Sequence, residues 1–407
     1  MKLMIVGHPF SFAYNQRKYV AMKRLNPRLR LRLVVPIRGR ERFHAIRYQV
    51  HHDLGRQEVV GLESWPDRWH MVYLHHPAHI AGVLRDFQPD VLHIEEEPQA
   101  LITVETIALK RLFAPAAVAS AFTWDNMLRP RGVALGSLKS ALRKYSLGRL
   151  SAMVCGNTRA ATLLQKEGRF SGLVEVLPQY GLDLVEHEPG REPELRRQLG
   201  LEGSPVIAYV GRLVAEKGLP QIFEALSALP SYPWKLLLVG SGPLEDEIRQ
   251  RWMPRFAQRI VMLPAVPYEQ VTRYIRCADI FVLASRSTST WTEQFGLALA
   301  QAMMLGIACV GSSSGAIPEV LGPGGLRFSE GQVDELAQAL ESLLRSPARR
   351  DKFGREGRQF ALEHYTADGV ANRYLQLFDR ARGVKGGDAG GADTVGFKSI
   401  SGSGNSR

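Results

Sequence analysis

The chain has 407 residues, of which 45% are hydrophobic and 23% charged, a composition typical of a globular protein with more than one domain. No apolar run approaches the roughly 18 residues that cross a bilayer, and the apolar stretch in MKLMIVGHPF is too short for a signal peptide, which predicts a cytoplasmic protein. Three scattered cysteines in apolar contexts favour reduced core thiols over a disulfide framework.

The net charge of +12 lies entirely in the first half of the chain. Residues 1–182 carry 26 Lys+Arg against 14 Asp+Glu, whereas residues 183–407 carry 26 of each. The excess is densest from Arg17 to Arg47, where eleven basic residues accompany only Glu41. Such a cluster attracts the phosphates of a membrane surface or a lipid-linked substrate, although an ordinary solvated face carries the same charges. No RNA-binding motif or zinc-ligand spacing is found, so nucleic acid is not an expected partner.

Strands and helices alternate through the first half. We predict strands at 2–7, 31–36, 91–94, 116–123, 152–155 and 174–178, and helices at 15–25, 78–87, 99–111, 136–147 and 157–168. The aromatic segment 39–77 gives no assignment. This alternation predicts a parallel, doubly wound sheet whose ligands sit beyond the carboxyl ends of the strands.

A polar segment rich in Glu, Pro and Gly at 181–201 predicts a linker, after which the alternation restarts. We predict strands at 206–210, 235–239, 280–284 and 307–310, and helices at 219–229, 244–251, 295–305, 332–344 and 348–367. The domains expected are residues 1–182 and 183–367. A last helix at 368–382 is expected to pack back on the first domain, and the Gly/Ser-rich tail 383–407 to be disordered.

Two strand-to-helix junctions follow one another between Ala284 and Leu321. The first contains Glu293-Gln294-Phe295-Gly296, and the second contains Gly311-Ser312-Ser313-Ser314-Gly315. Each junction offers backbone N–H groups and the positive end of a helix dipole, which suits an anion. Two ordinary βα turns of an α/β sheet, without a bound anion, would have the same sequence pattern.

The loop Gly211–Gly218 also lies between a predicted strand and a predicted helix. Arg212 suits forked phosphate contacts and Lys217 supplies a point charge at the helix start. The loop lacks the Walker A pattern and the dinucleotide fingerprint. Two solvated surface cations remain an equal interpretation of the loop alone.

Four motifs occur in order: GRLVAEKGL, LLLVGSGPLEDEI, ADIFVLASRSTSTWTEQFGLALAQAMMLG and GSSSGAIPEVL. Together they resemble the nucleotide-sugar domain of family-4 retaining glycosyltransferases (glycosyltransferase group 1). The resemblance covers about residues 174–325, and extends more weakly to the first strand and to the DVLHIEEEP and FTWDN loops. It implies the α/β GT-B fold, in which two Rossmann-like doubly wound domains face a central cleft.

The resemblance also implies a donor site. Arg212 and Lys217 are expected to hold the donor diphosphate, and Glu293, the first Glu of the family's Glu-x7-Glu motif, is expected beside the donor sugar. The second Glu, which usually contacts the ribose, falls on Gln301, so one charge is lost there. The remaining donor-binding positions implied are Gly211, Phe295, Gly296, Leu297, Ser313 and Gly315.

The first half departs from the family at the end of the strand 116–123, where many members carry a His. Here Asp125 or Asn126 would orient the sugar or acceptor, together with His8 after the first strand; the alternatives are a turn with a packed Trp124 and a structural His8. The run Glu95-Glu96-Glu97 either binds an acceptor or pairs with local arginines, and we favour the pairing.

Five histidines cluster in the first half of the sequence without a standard metal-ligand spacing. They are His51, His52, His75, His76 and His79. No metal is expected, because the resemblance implies that fixed cations and helix dipoles neutralise the leaving diphosphate.

The sequence therefore predicts a retaining, metal-independent glycosyltransferase without a cofactor. It would move a sugar from a nucleoside-diphosphate donor to a glycan or lipid-linked acceptor, in the assembly of polysaccharide, lipopolysaccharide or glycolipid. We expect it in the cytoplasm, peripheral on the inner face of the membrane. The alternatives are a non-catalytic nucleotide-sugar-binding or scaffold protein and a sugar-nucleotide epimerase of the same fold.

Overall fold

The computed structural model describes residues 1–41, 44–66, 72–127, 133–167 and 170–386. The chain divides into two compact units. The first comprises Met1–Gly181 and the described chain from Ala367 onward, and the second comprises Leu182–Thr366.

The first unit is built on a seven-stranded parallel sheet in the order β11-β10-β9-β8-β1-β2-β5. Its elements before the second unit are β1 Lys2–Val6, α1 Arg17–Leu25, β2 Arg30–Pro36, β3 Arg38–Glu41, β4 His44–Arg47, β5 Val59–Leu62, β6 Ser64–Trp65, β7 Leu74–His75, α2 Pro77–Phe87, β8 Val91–Ile94, α3 Leu101–Phe113, β9 Val118–Thr123, α4 Val133–Leu147, β10 Ala152–Cys155, α5 Thr158–Lys166 and β11 Leu173–Val176.

The second unit carries a six-stranded parallel sheet in the order β14-β13-β12-β15-β16-β17. Its elements, followed by the last helix of the chain, are α6 Pro193–Gln198, β12 Val206–Val210, α7 Leu219–Ser227, β13 Lys235–Val239, α8 Glu245–Glu247, α9 Met253–Arg255, β14 Ile260–Leu263, α10 Tyr268–Ile275, β15 Ile280–Leu283, α11 Leu297–Met304, β16 Ala308–Ser312, α12 Ile317–Leu321, β17 Leu326–Phe328, α13 Val333–Arg345, α14 Pro347–His364 and α15 Ala367–Gly386.

Burial explains the near-continuous apolar strands. Every residue of β8, β9, β12 and β15 is buried, as expected for parallel strands covered by helices on both faces. One core of the first unit also takes in the last helix, α15, whose Tyr374 and Phe378 are fully buried with Phe10 and Tyr19.

The predicted α/β class with doubly wound sheets is confirmed, but several details differ. Of the segment 181–201, predicted as a linker, residues 182–201 belong to the second unit and contain α6. The helix predicted at 244–251 is interrupted by a π-helical turn, Ile248–Trp252, just before Pro254, whose missing N–H cannot continue an α-helical ladder.

Other differences lie in segments with weak periodicity. The segment 39–77 forms two short antiparallel pairs, β3 with β4 and β6 with β7, and the parallel strand β5. The strands β14 and β17 and the helix α10 were not predicted. The last helix continues to Gly386 instead of ending at 382, and the tail 387–407 lies outside the described residues.

The strand order of each sheet reverses at one point. In the first unit it reverses between β1 and β8, and in the second between β12 and β15. Doubly wound sheets bind ligands in the crevice at the carboxyl ends of the strands on either side of such a point. Among the described helices, none is both long and apolar enough to cross a bilayer.

Candidate active site

The reversal point of the second unit brings two loops together. The loop Gly211–Gly218 leaves β12, and the loop that contains Glu293 leaves β15; the two strands are parallel neighbours. Their carboxyl ends therefore meet at one edge of the sheet, where a ligand is expected.

Lys217 and Glu293 form an ion pair at this edge. Lys217 Nζ lies 2.7 Å from Glu293 Oε2, and the Glu293 side chain is only 7% exposed. The hydroxyl of Ser285, which is fully buried, donates to the same carboxylate oxygen over 2.7 Å. Two donors therefore fix one face of the Glu293 carboxylate.

Ser285 and Trp291 are parts of this site that the sequence analysis missed. The carbonyl of Ser285 accepts a 2.6 Å hydrogen bond from Ser312 Oγ, which joins the ends of β15 and β16. The Trp291 ring lies 5.0 Å from Lys217 Nζ, at cation–π distance. Ser285 directly follows a predicted buried strand, and this position at a strand end could have indicated that it belongs to the site.

The backbone around Glu293 is held by a close approach that requires glycine. Gly315 has a φ of +53°, and a Cβ there would lie 2.0 Å from the carbonyl oxygen of Glu293. The N–H of Ala316 donates to that carbonyl over 3.0 Å. The second predicted junction therefore contributes to the site by placing Glu293.

The start of α11 follows directly. Gly296 adopts a φ of +87° as the residue before the helix, and Leu297 is its first residue. Phe295 packs edge-on against Tyr365, with ring centroids 5.5 Å apart, so its side chain serves packing.

Arg212 occupies the other loop with its side chain exposed. Its carbonyl accepts a 2.6 Å hydrogen bond from the hydroxyl of Tyr209, whose pKa is raised by burial and by the nearby charge of Glu293. The preceding Gly211 has its N–H bonded to the carbonyl of Val239. The loop is thus anchored from beneath while its guanidinium faces solvent.

Gln301 lies inside α11 and is 2% exposed. Its Nε2 donates to the hydroxyl of Tyr268 over 3.1 Å. Tyr268 begins α10, an element absent from the sequence prediction, so this partner was not foreseen. The position keeps a polar group that is held by a specific neighbour.

Ser313 lies at the rim of the same edge. Its hydroxyl accepts from the N–H of Glu330 over 2.9 Å, and Glu330 Oε2 accepts from the hydroxyl of Ser287 over 3.0 Å. Glu330 therefore ties the loop after β16 to the loop after β15.

Residues 191–360 match the family model described as glycosyl transferases group 1. The second unit is a glycosyl transferase group 1 domain. Curated relatives include the 2-deoxystreptamine glucosyltransferase of Streptomyces kanamyceticus, 26% identical over 60% of this chain and 65% of the relative. Another is the GDP-mannose-dependent alpha-(1-6)-phosphatidylinositol monomannoside mannosyltransferase of Mycolicibacterium smegmatis, 28% identical over 49% of this chain and 54% of the relative. The matched segments thus span less than two thirds of these relatives.

The crystal structure of Anabaena HepE in complex with UDP resembles this chain in fold. The TM-score is 0.70 at 15% identity, over 93% of this chain and 100% of that chain. The likeness covers both units, and at this identity it concerns the fold, which is the predicted GT-B class of two Rossmann-like domains. The chain therefore contains a second Rossmann-like domain besides the group 1 domain.

Within the described part of the first unit, Glu95, Glu96 and Glu97 form no ion pair with an arginine, whereas the sequence favoured such pairing. Glu95 binds Lys18 over 2.5 Å and Tyr19 over 2.6 Å, in a fully buried cluster. Although burial acts to raise it, the charges of Lys18 and His93 hold the pKa of Glu95 at about 2. This glutamate has an internal partner instead of an arginine.

Glu97 caps the end of β9. It accepts from the hydroxyl of Thr123 over 2.6 Å and from the N–H of Trp124 over 2.7 Å. Burial raises its pKa to about 7, with the neighbouring charge of Asp125 acting in the same direction.

The loop after β9 holds the other predicted acceptor-side residues. Trp124 packs edge-on against Phe122 and donates from its indole N–H to Gln179 over 2.9 Å. Asn126 is buried, and the N–H of Asp125 donates to Thr123 Oγ1 over 3.1 Å. The packed Trp agrees with the structural alternative for this loop.

His8 lies on the other side of the reversal point, against Glu96. Its Nδ1 is 2.5 Å from Glu96 Oε1, which also accepts from the hydroxyl of Tyr73 over 2.9 Å. The structure does not join His8 to Asp125 or Asn126 by a described contact.

Several basic side chains between Arg17 and Arg47 are buried or paired, so fewer of them can contact an anionic partner than the sequence indicates. Arg17 and Lys18 are buried, Lys23 pairs with Glu58 over 2.6 Å, and Arg24 pairs with Asp368. Part of the stretch, residues 42–43, lies outside the described residues. Among the side chains of this stretch that the structure describes, those of Arg28, Arg30, Arg38 and Arg47 are also exposed.

One group of possible metal ligands occurs among the described residues. Atoms of His51, His52 and Asp53 lie within 4.8 Å of one another. The Nδ1 of His51 accepts from the N–H of Asp53 over 3.2 Å, which competes with a metal for that nitrogen. His75 is buried, and burial lowers its pKa to about 4.

Proposed function

We propose that this chain is a retaining glycosyltransferase that moves a sugar from a nucleoside-diphosphate donor to an acceptor hydroxyl. The observation that carries the proposal is the Lys217–Glu293 pair at the strand reversal point of the group 1 domain. A cation and a carboxylate placed there match the two charges of the reaction, a departing diphosphate and a sugar that becomes positive.

Lys217 and Arg212 would bind the diphosphate. Lysine has three donors, so Lys217 can hold both Glu293 and a phosphate oxygen. Arg212 is exposed and suits a forked phosphate contact. The N–H groups at the start of α11, near Gly296 and Leu297, add positive potential. These fixed charges stabilise the negative charge that develops in the transition state, and no metal is required.

Glu293 would act on the sugar. When the bond between the anomeric carbon and the phosphate oxygen breaks, the sugar acquires oxocarbenium character, which a fixed carboxylate supports. The acceptor oxygen then bonds to the anomeric carbon on the face that the diphosphate leaves, and the acceptor proton passes to a phosphate oxygen. This course retains the anomeric configuration.

Gln301 is proposed to bind the ribose in place of a carboxylate. Because Gln301 Nε2 donates a hydrogen bond to Tyr268, the side-chain carbonyl oxygen of Gln301 is left as an acceptor, which suits a ribose hydroxyl. Ser313 and Gly315 are proposed to complete the donor side: Gly315 lies against the Glu293 backbone, and Ser313 ties the same loop to Glu330.

The acceptor is proposed to be a glycan or a lipid-linked sugar in polysaccharide, lipopolysaccharide or glycolipid assembly. A mannosyltransferase of a phosphatidylinositol mannoside is among the relatives. Arg28, Arg30, Arg38 and Arg47 would hold the cytoplasmic protein on an anionic membrane. Sedimentation with phosphatidylglycerol vesicles should weaken as salt increases, and binding equal to that with neutral vesicles would refute this part.

The transfer itself is tested with a panel of nucleoside-diphosphate sugars and an acceptor extract, by measuring release of the nucleoside diphosphate and the glycosylated product. Lys217→Ala and Arg212→Ala should each lose about 100-fold or more in turnover while keeping the fold. Lys352→Ala, an exposed lysine of α14, is the control. Unchanged turnover in Lys217→Ala would refute the proposal.

The same assay separates the alternatives. Isomerisation of the donor without an acceptor would identify an epimerase, and donor binding without turnover would identify a non-catalytic binding protein.

A further inference from the structure

A groove runs along one flank of α2, where this helix packs on the edge of the first sheet. β5 is the edge strand of that sheet, and among the described strands it pairs only with β2. The groove has a volume of about 600 Å³, which lies within the range of small-molecule sites. It is lined by Arg32 of β2, Ile37 after that strand, Val60 and Leu62 of β5, and the flank of α2 between positions 78 and 87.

The groove is elongated and mostly apolar. Its helix side, from Ala78 to Phe87, is about 13 Å long at the rise of an α-helix. Its strand side, from Arg32 to Ile37, is about 16 Å long at the rise of a β-strand. A narrow apolar shape of this length suits a flexible hydrocarbon chain better than a compact polar ligand.

Gly82 keeps the middle of the groove open. It lies inside α2, where glycine is less favourable than alanine because it loses more backbone entropy. Packing does not require this glycine: outside its own turn of helix, nothing in the described structure lies within 4 Å of the position of a Cβ. A larger residue would project into the groove and not into the core, so a ligand passing over this turn accounts for the glycine.

Arg32 places a positive charge at one end of the groove. Its guanidinium carbon lies 5.1 Å from the centroid of the Phe87 ring, at cation–π distance. Its Nε is buried, and within the described residues this atom has no hydrogen-bond partner. The structure, as far as it is described, also shows no ion pair between Arg32 and Asp86, although both line the groove. A buried donor without a partner is costly, so a ligand that carries an acceptor would be stabilised here.

The neighbouring acids decide which anion fits best. Glu63 and Asp86 also line the groove, and both are exposed. Their charges disfavour a phosphate group, which approaches two negative charges, more than a singly charged carboxylate. A carboxylate also matches the planar guanidinium of Arg32 in a forked pair.

We propose that this groove binds a monocarboxylate with an unbranched apolar chain, the carboxylate paired with Arg32 and the chain passing Gly82 toward Leu62. Arg32 is the third residue of β2, so the carboxylate lies toward the amino ends of the strands. All the lining residues lie outside the group 1 domain, so the inference goes beyond the proposed transfer reaction and does not depend on it.

Ligand-observed NMR titration of the full chain tests the ligand class with octanoate, 1-octanol and octyl phosphate. Octanoate should bind at least about tenfold more tightly than the other two, because it gains the charged pair with Arg32 without a second negative charge. Its affinity should rise roughly three- to fourfold for each methylene added from hexanoate to decanoate, as more apolar surface is buried. Absence of octanoate binding, or equal or tighter binding of octanol or octyl phosphate, would overturn the proposal.

Two substitutions test the location of the ligand. Gly82→Leu should abolish octanoate binding, because the new side chain fills the groove, while the Tm stays at or above that of the wild type, since leucine is the better helix former. Gly383→Leu is the matched control: Gly383 lies in α15 and likewise has nothing within 4 Å of the position of a Cβ. It should bind octanoate as the wild type does.

Arg32→Met keeps an apolar stem beside Phe87 and removes the charge, so octanoate should bind to it no more tightly than octanol does. Wild-type affinity for octanoate in either Gly82→Leu or Arg32→Met would contradict the assigned site.

Discussion

The carboxylate of Glu293 owes its orientation to Lys217, which was predicted in the site, and to Ser285, which was not. Lys217 and Ser285 both donate to Oε2, and Ala316 holds the carbonyl of Glu293. The lysine supplies charge, whereas the serine supplies direction, because a hydroxyl held by a rigid strand end fixes the position of its partner.

Ser285→Ala should therefore reduce turnover without removing the donor charges. Loss of a hydrogen bond to a charged group predicts a roughly 10- to 100-fold lower kcat, with the donor Kd changed less. Ser227→Ala is a suitable control. Ser227 lies in α7, and its Oγ donates a 2.8 Å hydrogen bond to a carbonyl of the same helix. Wild-type kcat in Ser285→Ala would mean that Lys217 alone positions Glu293.

Glu97 predicts a pH dependence of stability. Its pKa is raised from an ordinary 4.5 to about 7 by burial, so its contribution to stability is complete below about 4.5 and is lost as pH rises through about 7. Glu97→Gln keeps the acceptor for Trp124 and removes the titration. Relative to the wild type, the variant's free energy of unfolding should rise by up to about 3 kcal/mol between pH 4 and pH 8. Denaturant unfolding at both pH values measures this, and a pH-independent difference would contradict it.

For single residues, the sequence predicted which residues belong to the site better than it predicted their contacts. Glu293 and Lys217 were expected in one site on resemblance, and the structure brings them together. The partners Ser285 and Tyr268 were missed, since each depends on a neighbouring strand or helix whose placement no local pattern encodes. The partner of Glu95 was not foreseen for the same reason: Lys18 reaches Glu95 from a helix 77 residues away in sequence.

At the scale of elements, the loop after β12 passes very near the end of β15. A Cβ on Gly218 would lie 1.8 Å from the carbonyl oxygen of Ala284, and Gly218 has a φ of +76°. Glycine is required there both by conformation and by space, and this approach holds Lys217 beside Glu293.

Gly218→Ala can be compared with Gly203→Ala, because Gly203 has the same φ of +76° with nothing near its missing Cβ. Gly203→Ala should cost about 1 kcal/mol, the conformational penalty alone. Gly218→Ala should cost roughly 1–3 kcal/mol more and lose donor binding, because the backbone must shift. Thermal unfolding and nucleotide titration check both variants; equal destabilisation would show that space does not limit Gly218.

The alternation of strands and helices was predictable because buried parallel strands are continuous apolar runs. Elements with mixed character were not: β14 is partly exposed, β17 has only three residues, and the strands β3 to β7 interrupt an irregular aromatic segment. The polar segment 181–201 was predicted to be a linker because α6 buries none of its residues. The helix therefore has no apolar face that would reveal it in the sequence.

At the scale of the whole chain, α15 returns to the first unit after the second is complete. Phe378 of this helix is fully buried in the core that contains Leu3 and Tyr19. The first unit therefore lacks part of its core until the C-terminal helix is made.

Phe378→Ala should lower the free energy of unfolding by about 3–5 kcal/mol, because it removes a buried aromatic ring and leaves a cavity. Leu112→Ala, which truncates a 72% exposed side chain of α3, should change it by less than about 0.5 kcal/mol. Chemical denaturation of the full chain compares the two, and a small effect of Phe378→Ala would mean that α15 contributes little to the first core.

The proposed reaction requires the group 1 domain to bind a nucleoside diphosphate through Lys217 at the carboxyl end of its sheet. Calorimetric titration of the full chain with UDP, GDP and ADP tests it most directly. The wild type should bind at least one of them, and Lys217→Ala should bind it at least about tenfold more weakly, with Lys352→Ala unchanged. Failure of all three to bind the wild type, or equal affinity in Lys217→Ala, would contradict this role of Lys217.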